Sequence, residues 1–258
     1  MRKLIALLLT AFLLTHGAES AQTIDIPTRP GVTQRILVIT PDQPKAIVLL
    51  FTGGNGALQI SPAGELISGK GNFLVRTRQL LADRGFIVVL VDAPSDRQSE
   101  PFLSGFRQTP EHAADIKAVI ARLRQDTKLP VWLMGTSRGT QSTAFLTLAL
   151  GKTDGPDGLV LTSSILTDPK GRAVPAMPLE KIIVPTLVVH HGLDACVLCN
   201  PAELPALMNK LSQSPRKELI VVDGGITKGD PCEAFAYHGY NGIEAEVVGK
   251  IAAWMLAR

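Results

Sequence analysis

One nine-residue stretch constrains this 258-residue chain most: Val131-Trp132-Leu133-Met134-Gly135-Thr136-Ser137-Arg138-Gly139. An apolar run ends in Gly-x-Ser-x-Gly, and Gln141 to Leu150 then reads as a packed helix. A strand that passes into a helix through this pentapeptide must turn so sharply that neighbouring side chains would collide. Glycines are therefore needed two residues before and two after the serine. Such a turn lifts the Ser137 hydroxyl clear of the sheet. It also aims the N–H of Arg138 at the point where an oxyanion would develop.

The rest of the chain supplies what such an elbow needs around it. Residues 34–39 and 45–51 read as strands separated by the turn Pro41-Asp42-Gln43-Pro44. Residues 73–84 read as a helix with Leu74, Leu80 and Leu81 on its apolar face. Residues 86–91 are a nearly unbroken β-branched run, the mark of a strand covered on both faces. Residues 110–124 form a helix, with Thr109 as N-cap and Pro110 in the first turn. Strands at 158–163, 185–190 and 218–222 alternate with helices at 202–212 and 242–256. This alternation predicts a mostly parallel, doubly wound α/β sheet with helices on both faces. The stretch 165–184 is Pro-rich and too short for a separate lid domain, so an uncapped site is expected.

The first residues are Met1-Arg2-Lys3, then the apolar run Leu4 to Leu14, then small residues at Ala18 and Ser20. They predict a signal peptide over residues 1–20 and a mature single domain over 21–258, exported to the periplasm or beyond. The apolar run falls short of the ~18 residues that span a bilayer, and no cysteine near the cleavage point would take a lipid. A formal net charge of +3, spread along the chain, gives no reason to expect nucleic acid or an anionic membrane as partner.

A serine hydroxyl needs a positioned base. Beyond the leader the histidines are His112, His190, His191 and His238. His112, in the first turn of a helix, is expected to face solvent. His190 and His191 close a strand, where at least one should be packed or brace a loop. His238 lies in the loop before the last helix, from which it can reach back over the carboxyl edge of the sheet, and is the predicted base. The imidazole needs a carboxylate to orient it. Asp194 follows a strand and lies between serine and histidine; Asp168 and Asp230 are the competitors. An oxyanion hole needs two convergent N–H groups. Arg138 offers one, and the loop Thr52-Gly53-Gly54-Asn55-Gly56 the other, with Gly54 preferred over Gly53. No Lys-Ser/Thr follows these glycines, so a phosphate cradle is not indicated. The side chains of Asn55 and Arg138 are candidates for touching substrate, and neither metal nor organic cofactor is implied.

Three cysteines in an exported chain predict one disulfide and one thiol. Cys196 and Cys199 have Cys-x-x-Cys spacing, but a redox pair belongs at a helix start in a much smaller domain, and zinc would want more ligands. A bridge to Cys232 from one of the two is expected. Cys196 is preferred over Cys199, because that bridge would tie the acid loop to the base loop.

With elbow, glycine loop and Ser137…Asp194…His238 order assembled, the chain resembles the α/β-hydrolase superfamily over essentially its whole mature length. More narrowly, Asn72 to Arg76, Val91-Asp92-Ala93-Pro94-Ser95-Asp96, His190 to Cys196 and Asp230 to Gly239 look like a group of exported bacterial serine hydrolases. The resemblance implies the fold, a Ser-Asp-His triad and a cysteine pair flanking acid and base. Thr52 stands where the commoner superfamily pattern has histidine, and serine as nucleophile departs from the dienelactone-hydrolase type. The expected activity is hydrolysis of a small carboxylic ester through an acyl-enzyme. The alternatives are a thioesterase or peptide/amide hydrolase with the same groups, or a binding protein without turnover.

Overall fold

The β-branched runs of the middle of the chain form the interior of one eight-stranded sheet in a computed structural model that describes residues 20–257. Its strands are β1 (Ser20–Arg29), β2 (Val32–Thr40), β3 (Ala46–Phe51), β4 (Phe86–Val91), β5 (Val131–Thr136), β6 (Gly158–Thr162), β7 (Thr186–His191) and β8 (Lys217–Val222). They lie in the order β1-β2-β4-β3-β5-β6-β7-β8. The β1–β2 and β2–β4 pairs are antiparallel; β4, β3 and β5 to β8 run parallel.

Alternation along the central strands sends side chains to two separate cores. Leu49, Phe51, Val89, Leu133 and Leu161 pack with Ile116, Val119 and Ile120 of helix α3 (Pro110–Asp126) and with Leu146 of α4 (Gly139–Asp154). Val48, Leu50, Val88, Leu90, Met134 and Val160 pack on the opposite face. There they meet α1 (Phe73–Arg76), α2 (Arg78–Ala82) and α6 (Glu244–Leu256) through Phe73, Leu81, Val247 and Ile251. Helix α5 (Leu204–Lys210) adds Leu204 and Leu207 to the first core. Strand order reverses direction at β3, whose neighbours are β4 on one side and β5 on the other. In an open parallel sheet the crevice at that point, outside the carboxyl ends of the strands, is where ligands are received.

Three departures from the sequence reading have local causes. Strand β1 was not anticipated: it is an edge strand, and Pro27 is tolerated there with a register shift between Pro27 and Arg29. The helix expected over 73–84 is broken at Thr77, whose hydroxyl donates to the Phe73 carbonyl at 2.7 Å. The helix expected over 202–212 contracts to α5, with Asn200 capping a preceding single turn. The stretch 165–184 holds two such turns and no further domain. The leader expectation, residues 1–20, lies outside the described residues apart from the Ser20 backbone. Among the described residues no helix is long and apolar enough to cross a membrane.

Candidate active site

Strand β5 ends at Thr136, Ser137 follows with φ of 53°, and α4 starts at Gly139. Positive φ is strained for a serine and marks the elbow. Its glycines are required by contact. A Cβ on Gly135 would lie 2.5 Å from the Gly139 carbonyl oxygen, and one on Gly139 would lie 2.0 Å from that of Phe51. The Ser137 N–H is anchored to the Thr162 carbonyl at 3.1 Å.

Asp194 stands just beyond β7, buried, with both oxygens engaged. Oδ1 accepts from the Cys196 N–H at 2.9 Å, and Oδ2 accepts from His238 Nδ1 at 2.8 Å. That bond assigns the proton to Nδ1, leaving Nε2 as the basic nitrogen. His238 Nε2 is buried and has no hydrogen-bond partner among the described residues. It borders, with Ser137, a cavity of about 580 Å³. No direct hydrogen bond joins Nε2 to the Ser137 hydroxyl; such bonds often tighten only when substrate is bound. His238 is held through its own backbone, because the Ser163 hydroxyl donates to its carbonyl at 2.7 Å. Tyr240, two residues on, donates its hydroxyl to the Val189 carbonyl at 2.8 Å and accepts from the Ser163 N–H at 3.0 Å.

Cys196 and Cys232 form a disulfide, 36 residues apart in sequence. It joins the segment carrying Asp194 to the segment carrying His238. Cys199 is a free, buried thiol raised well above the usual range by burial. Sulfur of Cys196, sulfur of Cys199 and a His238 nitrogen lie within 4.8 Å of one another. With Cys196 bonded to Cys232, its sulfur is withdrawn from this cluster as a thiolate ligand.

The glycine loop after β3 closes the other side of the cavity. A Cβ on Gly53 would come 2.9 Å from the Ser137 Cβ, so only glycine fits against the serine. One side chain organises this loop. Arg107 Nη2 donates to the carbonyls of Thr52, Gly53 and Gly54 at 3.0, 3.4 and 3.1 Å, while Nη1 donates to the Ser142 hydroxyl at 3.1 Å. In a planar trans peptide N–H and C=O point opposite ways. Gathering three carbonyls on one guanidinium therefore turns the N–H groups of Gly53, Gly54 and Asn55 away from it. None of those three donates to another group among the described residues.

No protein-family model matches this chain, and no curated protein sequence does. Solved structures do match. An esterase of Pyrococcus furiosus superposes with a TM-score of 0.64 at 14% identity, over 92% of either chain. A dienelactone hydrolase from Anabaena variabilis and an α/β serine hydrolase homologue from Coxiella burnetii each superpose with 0.62 at 16% identity, over 92% of this chain and 97% of theirs. The chain has the α/β-hydrolase fold.

On this α/β-hydrolase frame the remaining expected residues fall as follows. Asp168 is away from the imidazole: it accepts from Arg138 Nη1 at 2.8 Å and Gln141 Nε2 at 2.9 Å. Burial raises its pKa, but the Lys170 N–H, Arg138 and Gln141 outweigh this and hold the carboxyl below its ordinary range. Asp230 accepts from the Cys232 N–H, a loop contact. Asn55 borders the cavity, with its amide donating to Glu100 and its oxygen accepting from the Ala57 N–H. His112 corrects the expectation of a solvent-facing ring. It is 1% exposed between Phe51 and Phe106, with neither ring nitrogen hydrogen-bonded among the described residues. Burial, then Arg107 and Arg29, lower its pKa to about 3. His190 and His191 are both packed: His190 Nε2 donates to the Cys199 carbonyl at 2.8 Å, and His191 stacks on Tyr237. Burial lowers the pKa of His190.

Sequence reasoning missed Arg107, and it assigned no role to Arg76 and Asp92, which lie in the segments that carry the resemblance. Arg76 donates to the carbonyls of Gly71 and Gly239 and pairs with Glu244, tying the cavity wall to the base segment. Asp92 accepts from the N–H groups of Leu58, Gln59, Ile60 and Ala93, which pins the loop beneath the cavity. An aspartate straight after a buried β-branched strand was a usable signal for Asp92; for Arg107, sequence offered none.

Proposed function

We propose that this protein is a serine hydrolase that cleaves a carboxylic ester through an acyl-enzyme. Ser137 attacks the acyl carbon while His238 Nε2 takes its proton. Asp194 holds the imidazole and stabilises its cation, and the N–H groups of Gly54 and Arg138 receive the oxyanion. His238 then protonates the departing alkoxide, and water repeats the cycle on the acyl-enzyme. The observation that carries this reading is the buried His238 imidazole, bonded to Asp194 through Nδ1 and presenting a free Nε2 to the cavity that Ser137 borders. The carbonyl grip of Arg107 on residues 52–54 supports the oxyanion assignment, since it leaves the N–H groups of Gly53 and Gly54 unspent. The neighbours described as esterases and serine hydrolases support the same class.

Export to an oxidising compartment belongs to the proposal, and the Cys196–Cys232 disulfide supports it. The test is labelling by a fluorophosphonate probe together with a panel of 4-nitrophenyl esters of graded chain length, thioesters and anilides. Labelling that vanishes in Ser137→Ala, with ester turnover exceeding anilide turnover, is expected. A wild type that resists labelling returns the chain to a binding role, and faster anilide or thioester cleavage reassigns the substrate.

A further inference from the structure

A second cavity, of about 500 Å³, lies beside the first. The two are separated by single steps along the chain: Phe102 and Ser137 border the first, Leu103 and Arg138 the second. Its walls carry the cationic side chains of Arg107, Arg138, Lys170 and Arg172 against one carboxylate, Asp168. That carboxylate is already held by Arg138 and Gln141. Lys170 and Arg172 are exposed and form no ion pair among the described residues, and Arg172 Nε donates only to the neutral Gln108 oxygen at 2.9 Å. Arg107 is 5% exposed with no carboxylate partner, and its Nε has no acceptor among the described residues. Its proton acceptors are neutral carbonyls and a hydroxyl, so its buried charge is solvated by dipoles and balanced by no anion. Burial, and then Arg138, bring its pKa down to about 9.

We propose that this cavity is a carboxylate subsite: the ester turned over at Ser137 carries a second, ionised carboxyl group, which docks among Arg107, Arg138, Lys170 and Arg172. The inference rests on the serine-hydrolase reading and narrows its substrate class. Guanidinium groups present planar forks of donors that match a carboxylate in two parallel hydrogen bonds. The pocket already grips one carboxylate, that of Asp168, through a guanidinium and an amide, while Lys170 and Arg172 stay exposed without a carboxylate partner among the described residues and Arg107 adds its buried charge. A cleft with this excess of positive charge also concentrates anionic substrate before contact.

The test has a binding arm and a kinetic arm. In Ser137→Ala, succinate and inorganic phosphate are titrated calorimetrically at low salt. Saturable succinate binding is expected, tenfold or more weaker in the Lys170→Gln/Arg172→Gln background and lost in high salt. In the wild type, two ester pairs are compared: 4-nitrophenyl hemiadipate against 4-nitrophenyl hexanoate, and 4-acetoxybenzoate against 4-tolyl acetate. They place the carboxylate on the acyl and the alcohol side respectively. One pair should favour its anionic member tenfold or more in kcat/KM, with the preference collapsing in the double variant through KM. No succinate binding, binding indifferent to the two exposed substitutions, tighter binding of phosphate, or a preference absent from both pairs each overturns the proposal. Loss of all ester turnover with succinate binding intact would instead remove the hydrolase reading and leave the anion site in place.

Discussion

The two walls of the cavity are built by different means. On the side of the proposed acid and base, Asp194 and His238 are joined by a side-chain hydrogen bond, and their loops are joined covalently by Cys196–Cys232. On the side of the proposed nucleophile, Ser137 and residues 53–54 have no such link among the described residues. They are positioned by backbone: a positive φ, glycines with no room for a Cβ, and three carbonyls drawn onto Arg107. A side-chain device tolerates variation around it provided its chemical groups remain. A backbone device depends on close approach, so a single methyl group or a lost guanidinium reaches the reacting atoms.

Removing the proposed nucleophile sets the scale. Ser137→Ala should lower kcat by about 10⁴- to 10⁶-fold, and Asp194→Asn by about 10⁴-fold through loss of the correct tautomer. Both should leave the circular dichroism spectrum unchanged, and near-normal turnover in Asp194→Asn would move the acid elsewhere. Next comes the nucleophile wall. Arg107→Met should cut kcat by about 10²- to 10³-fold, the loss expected when an oxyanion donor is misplaced. KM for a neutral ester should change far less, and an equal rise in KM would mean that Arg107 only shapes the pocket.

The covalent tie of the acid–base wall is probed by stability. Cys196→Ser/Cys232→Ser opens a loop closed across 36 residues, which should remove about 3–4 kcal/mol. That corresponds to a Tm about 10 °C lower. An unchanged melting point would show that hydrogen bonds alone hold that wall.

At neutral pH the last effect vanishes, and it appears only on acidification. His112, wedged by the nucleophile wall beside Arg107, has a pKa near 3 when folded against 6.5 for the free side chain. The unfolded chain therefore binds a proton that the folded protein refuses. The stability due to the neutral ring is complete above about 6.5 and drains away as pH falls toward about 3. His112→Phe keeps a ring between Phe51 and Phe106 and should flatten the urea midpoint across that window. An unaltered pH profile would place the acid sensitivity elsewhere.

This contrast also governs what could be read without coordinates. Strands β4 and β5 were legible because they are continuous apolar runs. Helix α3 was legible because Thr109 and Pro110 mark its start, and the Thr109 hydroxyl oxygen accepts from the His112 N–H at 3.2 Å. The Asp194–His238 pairing and the Cys196–Cys232 bridge were legible because histidine and cysteine are scarce and the resemblance supplied a chain order. Strand β1 was not, since its pairing with β2 depends on a partner and an edge rather than on its own pattern. His112 was misjudged because the first turn of a helix is exposed only when nothing packs over it, and here Phe51 and Phe106 do.

By itself the order of residues determined the layered α/β arrangement, the serine at the mouth of a strand and the groups able to serve it, because periodicity and residue chemistry are local. Only tertiary structure decided that Arg107, more than fifty residues from the glycine loop, would gather its carbonyls. It also decided that a second, cation-rich cavity would open beside Ser137. Both arise from surfaces brought together by sheet packing, and nothing in the local pattern of either segment encodes that meeting.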